Sequence, residues 1–337
     1  MKYKKMVNKI RSKVELNETI ERITNRFLTN WFYRRLIYFI ANKKANNFKK
    51  NKQLGFAIEV SSLCNARCFF CPNRFMKRPK GIMSDMVFDA IVRKIRTEGI
   101  KPTFFNLTGT GEPLIDKNLF TKIKILKKEF PNSYIFFPTN LSLANKSIID
   151  QIVDSKLDLI VVSLNASDPV GYEKIMGLRY ANTINNLNQL IKIRNKKRSK
   201  LKIQINVAAN KDNADSLRSF IRKWDERVDD ISINWIHSWG GVIEDESIRK
   251  NISIYRYPCK SLFNQVVIQS NGNIPLCCID YEGSYVNGNV LKDSILGSFY
   301  SRNMEKIRNK HLNGRVADIK MCRNCRFSEK GLDWLIK

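Results

Sequence analysis

From about residue 54 the apolar positions fall into a repeating rhythm: short runs rich in β-branched and aromatic residues alternate with stretches whose apolar residues recur every three or four positions. The runs Phe56–Ser62, Thr103–Thr108, Tyr134–Thr139, Leu159–Asn165, Lys202–Ala208 and Asp230–Ile236 predict six strands. The stretch between the first two is the clearest helix. Ser84 stands as an N-cap, Val87, Ala90, Ile91 and Ile95 form an apolar stripe, and Gly99 offers a stop. Strands alternating with helices predict βα units and a parallel sheet. Six such units form an α/β fold, a partial (β/α)6 TIM-like barrel, in which chemistry sits at the C-terminal ends of the strands.

The flanks follow other patterns. Residues 1–50 hold fourteen Lys/Arg against three Glu, with Phe27, Trp31, Phe32, Tyr33, Leu36, Ile37, Phe39 and Ile40 crowded among them. This predicts a basic helical N-terminal extension that either packs its apolar side on the main domain or lies against a membrane surface. Beyond residues 51–250, assigned to the barrel, the rhythm changes. Val266–Gln269, the turn Asn271-Gly272 and Ile274–Cys278 predict a β-hairpin, because Asn-Gly suits a tight turn. Ser298 to His311 predicts a helix, and a short Cys-rich tail completes a small C-terminal domain over 251–337.

Composition adds limits. The chain of 337 residues is 43% hydrophobic, enough for one large core and a smaller lobe. No apolar run approaches the ~18 residues needed to span a bilayer, and no secretory signal opens the chain. A cytoplasmic protein is therefore expected, with peripheral membrane contact through residues 1–50 as the only membrane role. The net charge of +29 attracts anionic partners, but the Lys-, Asn- and Ile-rich bias of an AT-rich genome produces the same charge. No specific nucleic-acid partner is expected.

The eight cysteines carry the chemistry. Cys64, Cys68 and Cys71 form C-x3-C-x2-C directly after the first predicted strand. Three thiolates hold three irons of a [4Fe–4S] cluster and leave the fourth open, whereas four would close it. A zinc site wants four ligands, and the only histidines, His237 and His311, are far away in sequence. This motif, with Asn65 and Pro72 beside it, resembles the radical S-adenosylmethionine (SAM) superfamily. The resemblance implies that the open iron binds SAM. One electron then splits SAM to a 5′-deoxyadenosyl radical, which takes a hydrogen atom from substrate. It also implies that Phe70 lies by the adenine. Gly109-Thr110-Gly111-Glu112-Pro113 resembles the family's GGEP motif, with its first Gly-Gly altered, and would meet the SAM amino group. Thr139-Asn140 and Ser163-Leu164-Asn165, at the ends of the third and fourth strands, resemble segments that touch the ribose and carboxylate of SAM.

The second group is Cys259, Cys277, Cys278, Cys322 and Cys325. It resembles the SPASM auxiliary-cluster domain in its short twitch form, which implies a second [4Fe–4S] cluster on Cys259, Cys277, Cys322 and Cys325. A structural zinc on the same four residues is the alternative. Cys278 is left as a buried apolar side chain or as a hydrogen-atom donor, and strand alternation would turn it away from the cluster. Asp280 reads either as a base or as a surface carboxylate. The short form resembles twitch dehydrogenases, which oxidise a secondary alcohol in aminocyclitol antibiotic assembly. It implies a small-molecule substrate of anionic or sugar-like character, a flavodoxin or ferredoxin reductant, and a base, for which His237 is the candidate. A sugar or cyclitol epimerase using Cys278 and a peptide-modifying maturase are the rivals. An electron carrier or zinc-ribbon nucleic-acid binder leaves the open three-Cys site unexplained.

Overall fold

The computed structural model describes residues 31–245, 256–325, 327 and 334. Seven strands form one sheet: β1 (Gln53–Ile58), β2 (Lys101–Asn106), β3 (Tyr134–Thr139), β4 (Leu159–Ser163), β5 (Lys202–Ala209), β6 (Asp230–Trp235) and β7 (Gln265–Ile268). Their order is β6-β5-β4-β3-β2-β1-β7, and each neighbouring pair is parallel. The sheet is the expected partial barrel with one strand more than the six predicted.

That strand comes from the segment expected to make a hairpin, and the hairpin does not form. Val266 and Ile268 pair with Phe56 and Ile58 of β1 in parallel. The turn is present, with Gly272 at φ +85°, but the chain beyond it does not return along β7; Asn273 instead bridges Asn289. A parallel edge at β1 offers unpaired backbone groups and an apolar surface, and a short apolar run satisfies both there.

Helices cover the outer face: α1 (Trp31–Asn51), α2 (Asp85–Thr97), α3 (Leu119–Glu129), α4 (Lys146–Asp154), α5 (Pro169–Met176), α6 (Tyr180–Lys196) and α7 (Leu217–Trp224). Strand alternation sorts the side chains. In β5, Ile203, Ile205, Val207 and Ala209 are buried towards the helices, while Gln204, Asn206 and Ala208 turn inside. α2 begins as predicted, with the Ser84 hydroxyl accepting from the Val87 N–H at 3.3 Å, and its chain turns away at Gly99, φ +64°.

The C-terminal part adds α8 (Ser261–Asn264), α9 (Ile295–Phe299), α10 (Arg302–Leu312) and α11 (Lys320–Arg323). The single helix expected over Ser298 to His311 is two. Ser294 caps α9 through the Gly297 N–H (2.9 Å), and Ser301 starts afresh by capping α10 through the Met304 N–H (3.4 Å). A serine able to bond its own backbone favours a helix start over a helix interior.

The N-terminal extension before residue 31, Phe27 included, lies outside the described residues. From Trp31 onwards it is the expected helix, and it packs. Ile37 and Ala41 are fully buried, α1 lies on α8 and α10, and the Tyr38 hydroxyl donates to the Arg256 carbonyl at 2.8 Å. Leu36 and Phe39 face outwards. No helix among the described residues is long and apolar enough to cross a membrane. Ile37→Ala should therefore lower stability by about 2–5 kcal/mol, as for other large-to-small changes in a closed core. A loss under about 0.5 kcal/mol in urea unfolding, the scale of an ordinary surface change, would mean that α1 is not part of the core.

Candidate active site

The chain leaving β1 makes the floor of the site. Its cysteine loop is short and held from one side by α5: the Arg67 and Phe69 N–H groups donate to the carbonyls of Met176 and Ile175 at 2.9 and 3.3 Å. Cys64, Cys68 and Cys71 thus sit together at the C-terminal end of the sheet. Burial pushes the Cys64 thiol up to about 11. It raises Cys68 too, where the neighbouring Cys71 and Cys64 add repulsion, and it raises Cys71. Phe70 is half-buried, its ring edge-on to Phe69 at 5.4 Å.

One buried carboxylate, which sequence reading passes over, organises the loops around those cysteines. Glu59, just past β1, takes two 2.7 Å bonds from Arg78 Nη2. It also accepts from the N–H and hydroxyl of Thr110 (3.3 and 3.2 Å) and from the Ser270 N–H (3.2 Å). Arg78 reaches further, its Nε donating to the Tyr281 carbonyl at 2.5 Å. The pair therefore ties the Gly-rich loop, the segment after the cysteines and the segment after Cys278 to one point. The glycines follow from this crowding. A Cβ on Gly109 would meet the Glu59 side chain at 2.4 Å, and one on Gly111 would meet the Ser61 carbonyl oxygen at 2.2 Å. Thr110 between them is the departure from a Gly-Gly pair, and its hydroxyl is what Glu59 uses.

Glu112 is buried and raised by desolvation, which three hydrogen bonds oppose: the Thr139 hydroxyl at 2.6 Å, the Asn140 N–H at 2.8 Å and the Leu114 N–H at 3.1 Å. Thr139 and Asn140 thus serve first to hold Glu112. The Asn140 amide also donates to Asn65 (2.9 Å), which joins this cluster to the cysteine loop. Asn165 is a tie between strands: it accepts from the Ala208 N–H at 2.8 Å, and its amide lies 2.7 Å from the Met176 sulfur. Ser163 faces the inside opposite Asn206. Beside it Asn234 donates to Asn206 (3.0 Å) and to Ser232 (2.9 Å), so the inner wall at β4, β5 and β6 is lined by amides and hydroxyls.

The second cysteine group closes on one cavity, lined by Cys259, Cys277, Cys278, Cys322 and Cys325 with His311, Met321 and Phe327. Cys278 is thus turned inwards, against the strand-alternation expectation, because residues 274–278 form a turn-rich loop and not a strand. It remains the exposed one of the five, at the rim. Burial raises the thiols of Cys259, Cys277, Cys278 and Cys322, Cys278 to about 11 and Cys322 to about 12, with mutual repulsion adding to it. Asp280 resolves as a loop anchor, buried and accepting from the Ser284 and Tyr285 N–H groups at 2.7 and 2.9 Å. His311 is fully buried, and burial followed by the charge of Arg256 lowers its pKa to about 4. His237 follows β6 in a turn where its Nδ1 accepts from the Trp239 N–H at 3.2 Å. Its ring meets Trp239 at 4.5 Å and Phe327 at 5.6 Å, which places it between the barrel mouth and the cysteine cavity.

Both donor sets fit iron–sulfur groups. Clustered thiols whose ionisation is opposed by burial and by one another become ligands only where a cationic centre stabilises the thiolates. Among the described residues no three His, Cys, Asp or Glu side chains converge as for a single metal ion. A cluster whose irons take one thiolate each asks for no such convergence.

Residues 58–215 match the radical SAM superfamily, and residues 259–326 match the SPASM iron–sulfur cluster-binding domain. Together these domains imply [4Fe–4S] clusters and SAM. An uncharacterized Methanocaldococcus jannaschii protein, MJ0804, is 26% identical over 205 residues, which make up 61% of this chain and 64% of that one. The chain spans less than two thirds of the curated relatives it matches. Among solved structures, Streptococcus suis SuiB bound to its precursor peptide SuiA superposes with a TM-score of 0.62 at 16% identity, over 94% of this chain and 84% of that one. BtrN in complex with AdoMet and 2-DOIA superposes with a TM-score of 0.56 at 17% identity, over 81% and 92%. At these identities the likeness is one of fold.

Proposed function

Because the chain is a radical SAM enzyme with a SPASM iron–sulfur domain, we propose that it oxidises a secondary alcohol of a sugar- or cyclitol-like small molecule. The observation that carries this reading is the placement of the cysteines: three at the barrel mouth, and the other five around a single cavity. We assign the first cluster to Cys64, Cys68 and Cys71, and one auxiliary cluster to Cys259, Cys277, Cys322 and Cys325. Cys278, at the rim, is the thiol left over. When bound, SAM and the clusters supply a hydrogen-atom acceptor at the mouth and a one-electron acceptor at the auxiliary site.

The chain's own groups do the rest. Glu112, Gly109, Thr110 and Gly111 shape the SAM end, with Thr139 and Asn140 behind them, and Phe70, Ser163 and Asn165 complete that side. The amides and hydroxyls of Asn206, Asn234 and Ser232 offer a polyol the hydrogen bonds it loses on leaving water. We take His237 as the base for the hydroxyl proton; its Nδ1 accepts from the Trp239 N–H, so the ring proton is on Nε2 and the substrate proton is taken at Nδ1 when that bond opens. The net charge of +29 favours an acidic reductant of flavodoxin or ferredoxin type.

The inward turn of Cys278 favours one rival. A thiol at the rim of this cavity can return a hydrogen atom to a substrate radical, giving an epimer and a thiyl that one electron and one proton then restore. One experiment separates the two. The reduced anaerobic protein with SAM should form 5′-deoxyadenosine, and with a panel of cyclitols and sugars in deuterated water the product should be two hydrogens lighter. Cys278→Ser should keep that turnover. A product of unchanged composition carrying one solvent deuterium, lost in Cys278→Ser, would establish the epimerase instead.

A further inference from the structure

We propose that His311 donates a hydrogen bond from Nε2 into the cavity of the second cysteine group and thereby raises the potential of the cluster assigned there. The inference rests on the auxiliary-cluster reading above.

α10 carries His311 into the core, where the residue is fully buried. Its Nδ1 accepts from the Cys259 N–H at 3.2 Å. A nitrogen that accepts carries no proton, so the imidazole proton is on Nε2. Nε2 is itself buried and meets no polar partner among the described residues. Buried polar groups are nearly always bonded, and one that is not points to a partner still to be supplied. The cavity that His311 lines is walled mainly by sulfur and carbon, from five cysteines, Met321, Leu262, Ile279 and Phe327, with Ser261 the one hydroxyl among its described residues, and sulfur is the acceptor we assign to Nε2. A protonated thiol is a weak acceptor; a thiolate or sulfide carrying cluster charge is a strong one. The bond favours the more negative, reduced state, and hydrogen bonds to sulfur are among the determinants of cluster potential. Arg256 acts in the same sense, its guanidinium bonded to the carbonyls of Cys325 and Arg323. His311 is therefore a positioning and tuning residue that makes the auxiliary site a better electron acceptor, which is what an alcohol oxidation requires of it.

Two substitutions split the functions of the ring. His311→Asn keeps an acceptor near Nδ1 for Cys259 and withdraws the donor from the cavity. His311→Gln keeps a donor at the reach of Nε2. In redox titrations of the reconstituted holoenzyme followed by electron paramagnetic resonance, the auxiliary midpoint should become more negative in the Asn variant and stay near wild type in the Gln variant. The chain has 2 histidines, so ¹⁵N-histidine labelling gives a nearly unique probe. The reduced wild-type cluster should show a weak ¹⁵N coupling that the Asn variant lacks. An unmoved midpoint in both variants overturns the proposal, and so does a strong coupling typical of a nitrogen bound to iron. If neither variant takes up iron, the wild-type coupling alone decides. Wild-type protein with about four irons, or with zinc, sinks the auxiliary-cluster reading and this inference with it, whereas about eight irons and no ¹⁵N coupling sinks this inference alone.

Discussion

Changing Cys64, Cys68 and Cys71 together to Ala should abolish SAM cleavage and leave about four of about eight irons in the anaerobically reconstituted protein. The three thiols belong to one short loop after β1, pinned to α5, and their loss removes every sulfur ligand at the mouth. The other five line a cavity built from α8, the loop after β7 and the C-terminal tail, none of which borrows a ligand from the first loop. The two sites should therefore load independently. Iron falling to zero in the triple variant would show that they do not, and zinc in the remaining site would replace the auxiliary cluster with a structural metal. Production of 5′-deoxyadenosine by the triple variant would remove the SAM chemistry from the first site altogether.

The second large effect is expected at the Glu59–Arg78 pair, from which no chemistry is asked. Both side chains are buried, with 4% and 8% of their surfaces exposed. Arg78→Met leaves the Glu59 carboxylate in the interior with hydrogen bonds but no counter-charge, and breaking a buried pair in this way costs about 3–5 kcal/mol. It also removes the bond to the Tyr281 carbonyl, so the segment after Cys278 should loosen, read as faster amide exchange at Tyr281 and Glu282. Glu59→Gln combined with Arg78→Met removes the stranded charge and should recover part of the loss. An Arg78→Met protein within about 1 kcal/mol of wild type would place the pair with exposed ion pairs. A double variant no better than the single one would show that Arg78 acts through its other contacts.

The sequence by itself determined what depends on neighbours along the chain. Alternating runs of apolar residues set the βα rhythm, because a strand or helix buries one face by its own periodicity. Ser84 capped its helix and Gly99 ended it for equally local reasons. The C-x3-C-x2-C motif was legible because its three cysteines, the proposed ligands of one cluster, arrive within eight residues, and the second group because its spacing resembles a known domain. Tertiary structure decided the rest. Whether Val266–Ile268 pairs with a hairpin partner or with β1 depends on an open sheet edge some 210 positions earlier, which no local pattern reports. Cys278 turned inwards because its backbone is a loop, so strand alternation did not apply. Thr139 and Asn140 carry a motif's residue types, yet their first partner is Glu112, 27 and 28 positions away. Nothing in the local sequence marks Glu59, Arg78 or His311. Their roles come from burial, which isolates a charge or an N–H from water and leaves it to whatever distant group the fold brings within reach.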